Sequence, residues 1–237
     1  MPLNGPADVL PYLQDPRAYS MERWRHFLAN CFVPRVFYDI GANDPFFFEG
    51  QQVVFKPIMP TTQFYLFEAM KKHEPALIRS GEPYALVLLG ETDGAAKTFY
   101  ESKHYAPGTG DSYYKERTAA YDPDALIATT HVTRRLDSVT AERNWPLPDF
   151  IKLDTQGSEL DILRGAAKCL AATRGLQIEC NVRNYNEGGV LLPEVISFAA
   201  AAGFRLYDIA QFHFNARLQL LQIDALFVRA ELFPGGD

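Results

Sequence analysis

The chain has 237 residues, of which 47% are apolar and 22% are charged, and its formal net charge is −6. This length and composition fit one α/β domain with a large buried core. The acidic balance and the lack of a Lys/Arg cluster argue against a nucleic-acid binder, because neutralising phosphates requires clustered cations. No apolar run reaches membrane-spanning length, no secretory leader is recognisable, and the three cysteines lack paired spacing, so we expect a cytoplasmic protein.

Residues 1–34 are expected to form a helical N-terminal extension. Apolar side chains recur at helical spacing over residues 20–29, and Ser20 is predicted to be the N-cap of that helix. We expect this segment to pack on the sheet or to cover the mouth of a pocket.

Residues 35–44 predict the first strand of an open α/β sheet and the turn that follows it. An apolar run ends near Asp39, and the chain then turns at Gly41. Ligands of such sheets lie at the carboxyl edge of the strands, and a residue without Cβ lets the backbone approach them closely. Asp39 can accept hydrogen bonds from an ammonium or a hydroxyl, and Asn43 can both donate and accept.

A second apolar strand, residues 63–67, also ends in an acid, Glu68. In nucleotide-binding sheets an acid at this place holds the hydroxyls of a ribose. Two strands that end in acids therefore indicate an adenosine-containing ligand. A third strand is predicted over residues 84–89, and it leads to Glu91 and Thr92. These two residues either border an adenine or have no role at the site, and the sequence leaves both interpretations open.

Residues 102–122 predict a substrate loop. They contain four tyrosines, two glycines and a proline without sustained periodicity, and a loop this long in a compact domain is usually functional. His104, which lies in this loop, is a candidate general base. Before the loop, an Asp-Gly turn predicts a hairpin between residues 84–89 and residues 96–100.

A further block, residues 149–165, predicts a strand that ends in Asp154 and then enters a helix. Ser158 is predicted to cap this helix, with Asp161 completing an arrangement similar to a capping box. The next strand carries a third acid near its end, Glu179. Strands and helices alternate along the whole chain, which favours a mainly parallel sheet with helices on both faces.

Three segments resemble the FkbM family of S-adenosylmethionine-dependent methyltransferases: residues 37–43, 136–139 and, most specifically, 150–165. The match in order covers about residues 35–229. The resemblance implies an α/β fold with a Rossmann-like class I methyltransferase sheet, mostly parallel with an antiparallel last strand, in a single domain. It also implies methylation of a hydroxyl on a sugar, saccharide-linked or polyketide-type acceptor. The chain departs from the family at Pro45, where a glycine is usual.

The resemblance also implies the residues of the site. The expected S-adenosylmethionine contacts are Asp39, Gly41, Ala42, Asn43, Glu68, Glu91, Thr92 and Asp154. The expected catalytic residues are Asp154 and Glu179, together with His104, which lies in the loop outside the resemblance and is included because a histidine can act as a general base. Asp154 is the best candidate for the chemistry, because it ends the fourth strand, where such sheets face the transferred methyl group.

Asp154, Glu179 and Asn181 carry oxygen atoms of the kind that Mg²⁺ and Ca²⁺ bind. Some related methyltransferases use a metal to orient two hydroxyls, but two carboxylates and an amide form a sparse ligand shell. We therefore favour a metal-free site, in which Asp154 or a nearby histidine accepts the proton.

Two alternatives belong to other functional classes. An NAD-dependent dehydrogenase would also end its second strand in an acid, but its pyrophosphate turn requires Gly-x-Gly-x-x-Gly. Residues 39–45 contain Gly41 alone. A non-catalytic binding module with the same fold is the second alternative. The expected partner is a small-molecule or glycan hydroxyl acceptor, and a homo-oligomer remains open.

Overall fold

The computed structural model describes residues 15–47, 50–102, 111–116, 126–215 and 217–233. The strands of this part of the chain are β1 (Val36–Ile40), β2 (Gln63–Glu68), β3 (Tyr84–Leu86), β4 (Leu88–Leu89), β5 (Ala96–Ser102), β6 (Leu126–Arg134), β7 (Phe150–Leu153), β8 (Gly175–Asn181), β9 (Phe204–Phe214) and β10 (Leu220–Arg229).

Seven of these strands form one sheet in the order β3-β2-β1-β7-β8-β10-β9. Neighbouring strands from β3 to β8 are parallel, whereas β10 is antiparallel to both β8 and β9. A short connection joins β9 to β10, and short connections produce antiparallel pairs. The predicted sheet, mostly parallel with an antiparallel last strand, is therefore confirmed. A second sheet has the order β4-β6-β5.

Helices cover both faces of the large sheet. They are α1 (Pro16–Asn30), α2 (Phe55–Ile58), α3 (Glu74–Ser80), α4 (Leu136–Glu142), α5 (Glu159–Arg164), α6 (Ala167–Ala172) and α7 (Leu192–Ala201), with 3-10 helices at Lys71–His73 and Ala230–Leu232. On one face, α1 and α2 contribute to an aromatic core, and on the other face, α4 to α7 contribute to an aliphatic core. Within the described ranges, no helix combines the length and apolar character that crossing a membrane requires.

Helix α1 belongs to the core of the domain. The Trp24 ring is fully buried, and its centroid lies 5.0 Å from those of Phe55 and Phe150. The expectation that the N-terminal extension packs on the sheet is thus confirmed for α1, while residues 1–14 lie outside the described residues. The helix begins at Pro16, and Asp15 caps it by accepting the Ala18 N–H at 2.9 Å. Ser20, predicted as the cap, is instead buried within the helix.

The predicted strand over residues 84–89 is divided between the two sheets. Residues of β3 pair with β2 as far as Glu68, where β2 ends. After Val87 the chain has lost that partner, and β4 pairs with β6 instead. Strand β5 also pairs with β6, antiparallel along its whole length. The predicted hairpin between residues 84–89 and 96–100 was therefore wrong. Strand β6, which comes later in the chain, lies between β4 and β5 and pairs with both.

Candidate functional site

A cavity of about 440 Å³ lies at the carboxyl ends of β1, β2, β7 and β8. The chain leaves β1 towards β2 on one side of the sheet and reaches β7 on the other side. Open α/β sheets bind ligands at such a switch in strand order, and the volume lies in the range of small-molecule sites. Seven of the residues proposed from the sequence line this cavity, namely Asp39, Gly41, Ala42, Asn43, Glu68, Asp154 and Glu179.

The turn after β1 is pressed against the end of β7. Gly41 has a φ of +79°, and the Gly41 and Ala42 N–H groups donate to the Phe67 carbonyl at 3.0 and 3.1 Å. A Cβ on Gly41 would lie 1.9 Å from the carbonyl oxygen of Asp154. Only glycine meets both conditions, so Gly41 sets how closely these two ligand-facing segments approach each other.

Replacing Gly41 by Ala is expected to destabilise the fold by roughly 2–5 kcal/mol, the sum of left-handed backbone strain and an overlap in a packed site. Gly94 is the matched control, because its φ is +83° and nothing lies within 4 Å of its Cβ position. Gly94→Ala should show the strain alone, about 1–2 kcal/mol. Urea unfolding of the two variants measures the difference, and equal losses would contradict the close approach of Gly41 to Asp154.

Glu68 joins the ends of β1 and β2. Its Oε2 accepts the Asn43 N–H at 2.8 Å and its Oε1 accepts the Met70 N–H at 2.8 Å. Burial raises the pKa of Glu68, although these backbone donors oppose the shift. A carboxylate has about four acceptor positions, so two bonds leave capacity for the hydroxyls of a ligand in the cavity.

The wall next to Glu68 is apolar. It consists of residues 87–89 and Phe99. Glu91 and Thr92, which the sequence offered for this wall, are exposed and are not among the lining residues. The chain leaves the cavity after Leu89 because β4 pairs with β6, so the proposal that these two residues border an adenine finds no support in the structure.

Three charged side chains of the site form a line across β1 and β7. Lys152 Nζ lies 3.3 Å from Asp39 Oδ1 and 3.2 Å from Asp154 Oδ2. Burial raises the pKa of Asp39, and Lys152 only partly offsets this. Burial also opposes ionisation of Asp154, but the charge and hydrogen bond of Lys152, together with Glu179 and His213, outweigh it, so the pKa of Asp154 lies below its ordinary value.

Lys152 lies in the 150–165 segment, but it was not among the site residues predicted from the sequence. The signal was present, since lysine is rarely buried unless it is paired, and this one stands in the otherwise apolar strand β7, between Ile151 and Leu153. Its two partners are not evident from that strand alone. Asp39 comes from β1, which pairs with β7 so that Asp39 and Lys152 are direct neighbours.

Glu179 lies beside Asp154, within β8 rather than at its end. Its carboxylate accepts bonds from the Gln156 amide at 2.8 and 2.9 Å and from the Gln222 amide. Burial and then the charge of Asp154 raise the pKa of Glu179 well above its ordinary value. Asn181 is buried at the end of β8 and is not among the lining residues. The cavity is therefore lined by Asp154 and Glu179 but not by the amide of the predicted ligand trio.

No group of three or more His, Cys, Asp and Glu side chains arranged to hold a metal ion occurs among the described residues. Asp154 and Glu179 are two such side chains, and the cation in contact with Asp154 is Lys152. The preference for a metal-free site remains a prediction, which an experiment below addresses.

The turn between β7 and α5 is held by an acid that the sequence did not single out. Glu159 Oε1 accepts the Thr155 and Gly157 N–H groups at 3.0 Å each, and burial raises the pKa of Glu159 to about 7. Ser158 occupies the N-cap position but donates to the Thr155 carbonyl instead of capping the helix. The predicted capping box was wrong, because Ser158 has a φ of −95° and a ψ of 7° and not the extended backbone of an N-cap, and its side chain makes no cap bond.

Residues 111–116 lie over this turn and belong to the predicted substrate loop. Ser112 Oγ contacts the Thr155 and Gln156 carbonyls at 3.2 and 3.1 Å, and Asn186 Nδ2 donates to the Gln156 carbonyl at 2.6 Å. The backbone that presents the Gln156 amide to Glu179 is thus held from two sides.

Two tyrosines of that loop turn their hydroxyls towards α5. Tyr113 and Tyr114 donate to Asp161 Oδ2 at 3.0 and 2.8 Å, and the Tyr113 ring also lines the cavity. His104, the third catalytic candidate, lies outside the described residues. His213 of β9 does line the cavity, and its Nε2 lies 3.8 Å from Asp224 Oδ1.

Comparison with known proteins adds a family and several similar folds. The family model described as the Methyltransferase FkbM domain matches residues 39–206. A crystal structure of the methyltransferase FkbM from Methylobacillus flagellatus KT is similar with a TM-score of 0.53 and 17% identity, covering 89% of this chain and 47% of that chain. The chain therefore spans about half the length of that protein, and at this identity the similarity concerns the fold. No curated protein matches the sequence.

Two further structures are more distant. One is the 1,6-didemethyltoxoflavin-N1-methyltransferase from Burkholderia thailandensis with bound 1,6-didemethyltoxoflavin and S-adenosylhomocysteine, with a TM-score of 0.43, 13% identity and coverage of 97% and 92% of the two chains. The other is the magnesium protoporphyrin IX methyltransferase from Synechocystis PCC 6803 with bound SAM, with a TM-score of 0.46, 9% identity and coverage of 90% and 79%. These similarities are too weak to carry an argument about this site.

Proposed function

We propose that this chain, which belongs to the FkbM methyltransferase family, transfers the methyl group of S-adenosylmethionine to a hydroxyl oxygen of its acceptor. The observation that carries the proposal is a single cavity that joins the Gly41 turn and Glu68 on one side to Asp154 and Glu179 on the other. The first pair suits the donor, and the second pair suits an acceptor hydroxyl.

The chemistry of the lining fits the donor. Glu68 has acceptor capacity for ribose hydroxyls, and the apolar residues 87–89 suit an adenine ring. The Gly41 turn allows close approach of the backbone. Asp39 and Asp154 contribute two carboxylates to the same cavity and share one ammonium, Lys152, and the excess of acid favours a ligand that carries a sulfonium and an ammonium.

When bound, S-adenosylmethionine supplies a methyl group already made electrophilic by its sulfonium, so no covalent enzyme intermediate is required. The task of this chain is then to hold the acceptor oxygen in line and to accept its proton. Asp154 is the group for that proton, because the ion pair with Lys152 keeps its carboxylate charged. Burial and the charge of Asp154 raise the pKa of the neighbouring Glu179, which favours the protonated form of that side chain.

The acceptor belongs to a hydroxyl-rich class, a sugar, a saccharide-linked molecule or a polyketide. Support comes from the polar side chains near Asp154, since Gln156, Glu179, Tyr185 and Gln222 all line the cavity. Amides and hydroxyls can both donate to and accept from hydroxyl groups, and a carboxyl group can accept from them. Residues 102–122, which include the held segment 111–116, contribute to the choice among such acceptors.

Two measurements test the proposal. Calorimetry should detect binding of S-adenosylmethionine and not of NAD, which separates a methyltransferase from a dehydrogenase. Incubation with S-adenosylmethionine labelled in its methyl group and a panel of glycan and polyketide alcohols should transfer the label to oxygen. Binding without transfer to any acceptor in the panel would favour the binding module, and transfer to nitrogen or carbon would refute O-methylation.

Transfer is expected to survive exhaustive treatment with EDTA. The physical reason is that the ammonium of Lys152 already lies 3.2 Å from Asp154, so a divalent cation at that carboxylate would face like-charge repulsion. Initial rates with and without chelator, followed by addition of Mg²⁺ or Ca²⁺, provide the measurement. Loss of activity that only Mg²⁺ restores would overturn the metal-free site.

A further inference from the structure

We propose that Lys152 is a positioning residue for methyl transfer, whose ammonium group holds the Asp154 carboxylate in place at the cavity by anchoring it to Asp39. The inference rests on the proposed function for its catalytic consequence, because Asp154 is the group assigned to the acceptor proton. Its structural content, the dependence of the Asp154 orientation on Lys152, can be tested separately.

Lys152 is buried in the middle of the large sheet. It lies on β7 directly opposite Asp39 of β1 and Gln177 of β8, and it is 5% exposed. A buried lysine needs partners, since an unpaired ammonium cannot be accommodated away from water. The structure provides two, at 3.3 Å and 3.2 Å from Nζ.

The two carboxylates differ in how they meet the cavity. The Asp39 side chain is 2% exposed, whereas the Asp154 side chain is 30% exposed. The Asp39 carboxylate is therefore closed off from solvent, whereas the Asp154 carboxylate is accessible. The Asp154 backbone N–H donates to the Ile40 carbonyl at 3.0 Å, which holds the main chain but leaves the side chain able to rotate. The contact with Lys152 at 3.2 Å restrains the carboxylate, together with a hydrogen bond to Glu179.

A direct catalytic role for Lys152 does not fit its surroundings. Burial alone would lower the pKa of Lys152, but the charges of Asp39 and Asp154 raise it above its ordinary value. An amine held in its charged form has no lone pair with which to accept a proton from the acceptor. Lys152 therefore acts through Asp154, and its removal leaves the buried Asp39 and the half-buried Asp154 without the cation that they share.

The test uses Lys152→Met and Lys152→Arg in the full chain. A displaced catalytic group costs about 100-fold in rate, so Lys152→Met is expected to lower kcat by about that factor while the calorimetric Kd of S-adenosylmethionine changes by less than about tenfold. Lys152→Arg retains the charge and should recover most of the loss. Lys56→Met is the matched control, because it removes a salt bridge with Glu82, at 2.7 Å, between residues that do not line the cavity.

A double-mutant cycle distinguishes positioning from general damage. If Lys152 acts through Asp154, then Lys152→Met should add less than about threefold to the loss already caused by Asp154→Asn. Equal losses in the two backgrounds would overturn the proposal. If Lys152→Met does not fold, the same cycle is run with Lys152→Arg, and any loss caused by the arginine should likewise disappear in the Asp154→Asn background.

Crystal structures of the Lys152 variants without ligand provide a readout that needs no acceptor. The Asp154 carboxylate is expected to leave its place in Lys152→Met and to keep it in Lys152→Arg, and an unchanged carboxylate in Lys152→Met would refute positioning. If Asp154 moves as expected but the wild type transfers no methyl group, the positioning inference stands and the proposed function fails. The two failures are thus distinguishable.

Discussion

Replacing Asp154 by Asn is expected to lower turnover by about 100- to 10,000-fold, the range associated with loss of a positioned proton acceptor. Affinity for S-adenosylmethionine should change by less than about tenfold, because the expected donor contacts at Gly41 and Glu68 remain. The amide is close in shape to the carboxylate but cannot accept the proton and no longer pairs with Lys152. Steady-state kinetics and calorimetry on the same preparation measure the two effects.

Asp208→Asn is the matched control for this experiment. Asp208 is half-buried and also faces a cation, Arg23, at 3.6 Å, but it is not among the residues that line the cavity. It should leave both turnover and binding near wild type. A turnover of Asp154→Asn within tenfold of the wild type would remove Asp154 from the chemistry. A parallel loss of turnover and affinity would instead make it a residue of the donor site.

Replacing Glu68 by Ala is expected to weaken S-adenosylmethionine binding by about 1.5–3 kcal/mol, the value of hydrogen bonds to a charged group, or roughly 10- to 150-fold in Kd. The substitution also removes the acceptor of the Asn43 and Met70 N–H groups, so the turns after β1 and β2 lose their common partner. Calorimetric titration gives the affinity, and thermal unfolding without ligand gives the cost to the fold.

Glu68→Gln separates these two contributions. Glutamine keeps the volume and one carbonyl oxygen, so it can serve one of the two backbone donors but supplies fewer acceptor positions for a ribose. We expect it to unfold nearer to the wild type than Glu68→Ala while still losing affinity. Unchanged affinity in both variants would show that Glu68 does not hold the donor. If the loss of affinity in the two variants only parallels their loss of thermal stability, the role of Glu68 is structural.

The sequence predicted the large sheet because its signals are local. Short apolar runs that end in an acid mark strands and their carboxyl ends, and parallel strands bring those ends to one edge whatever the details of packing. Asp39, Glu68 and Asp154 come from three strands separated along the chain, and they line one cavity for this reason. The antiparallel last strand was expected from the resemblance alone, and its short connection to β9 is the physical reason for it.

Long-range pairing decided what the sequence could not. Whether residues 84–89 continue past β2 depends on β6, about 40 residues further along the chain, and this pairing takes Glu91 and Thr92 out of the cavity. Ser158 was expected to cap a helix from its spacing, but contacts from residues 111–116 and the side chain of Glu159 shape that turn differently.

For Lys152, the sequence shows that the residue needs a charged partner, and the tertiary structure shows which residues are its partners. Its place in an apolar strand is local and indicates that it must be paired. Its partners were decided by the tertiary structure, since one carboxylate comes from the neighbouring strand and the other from the turn beyond β7. Sequence alone thus determined which strand ends carry acids, because apolar runs and turns are local. Only the folded sheet determined which acids share a cation, because charge pairing depends on distances between segments far apart in the chain.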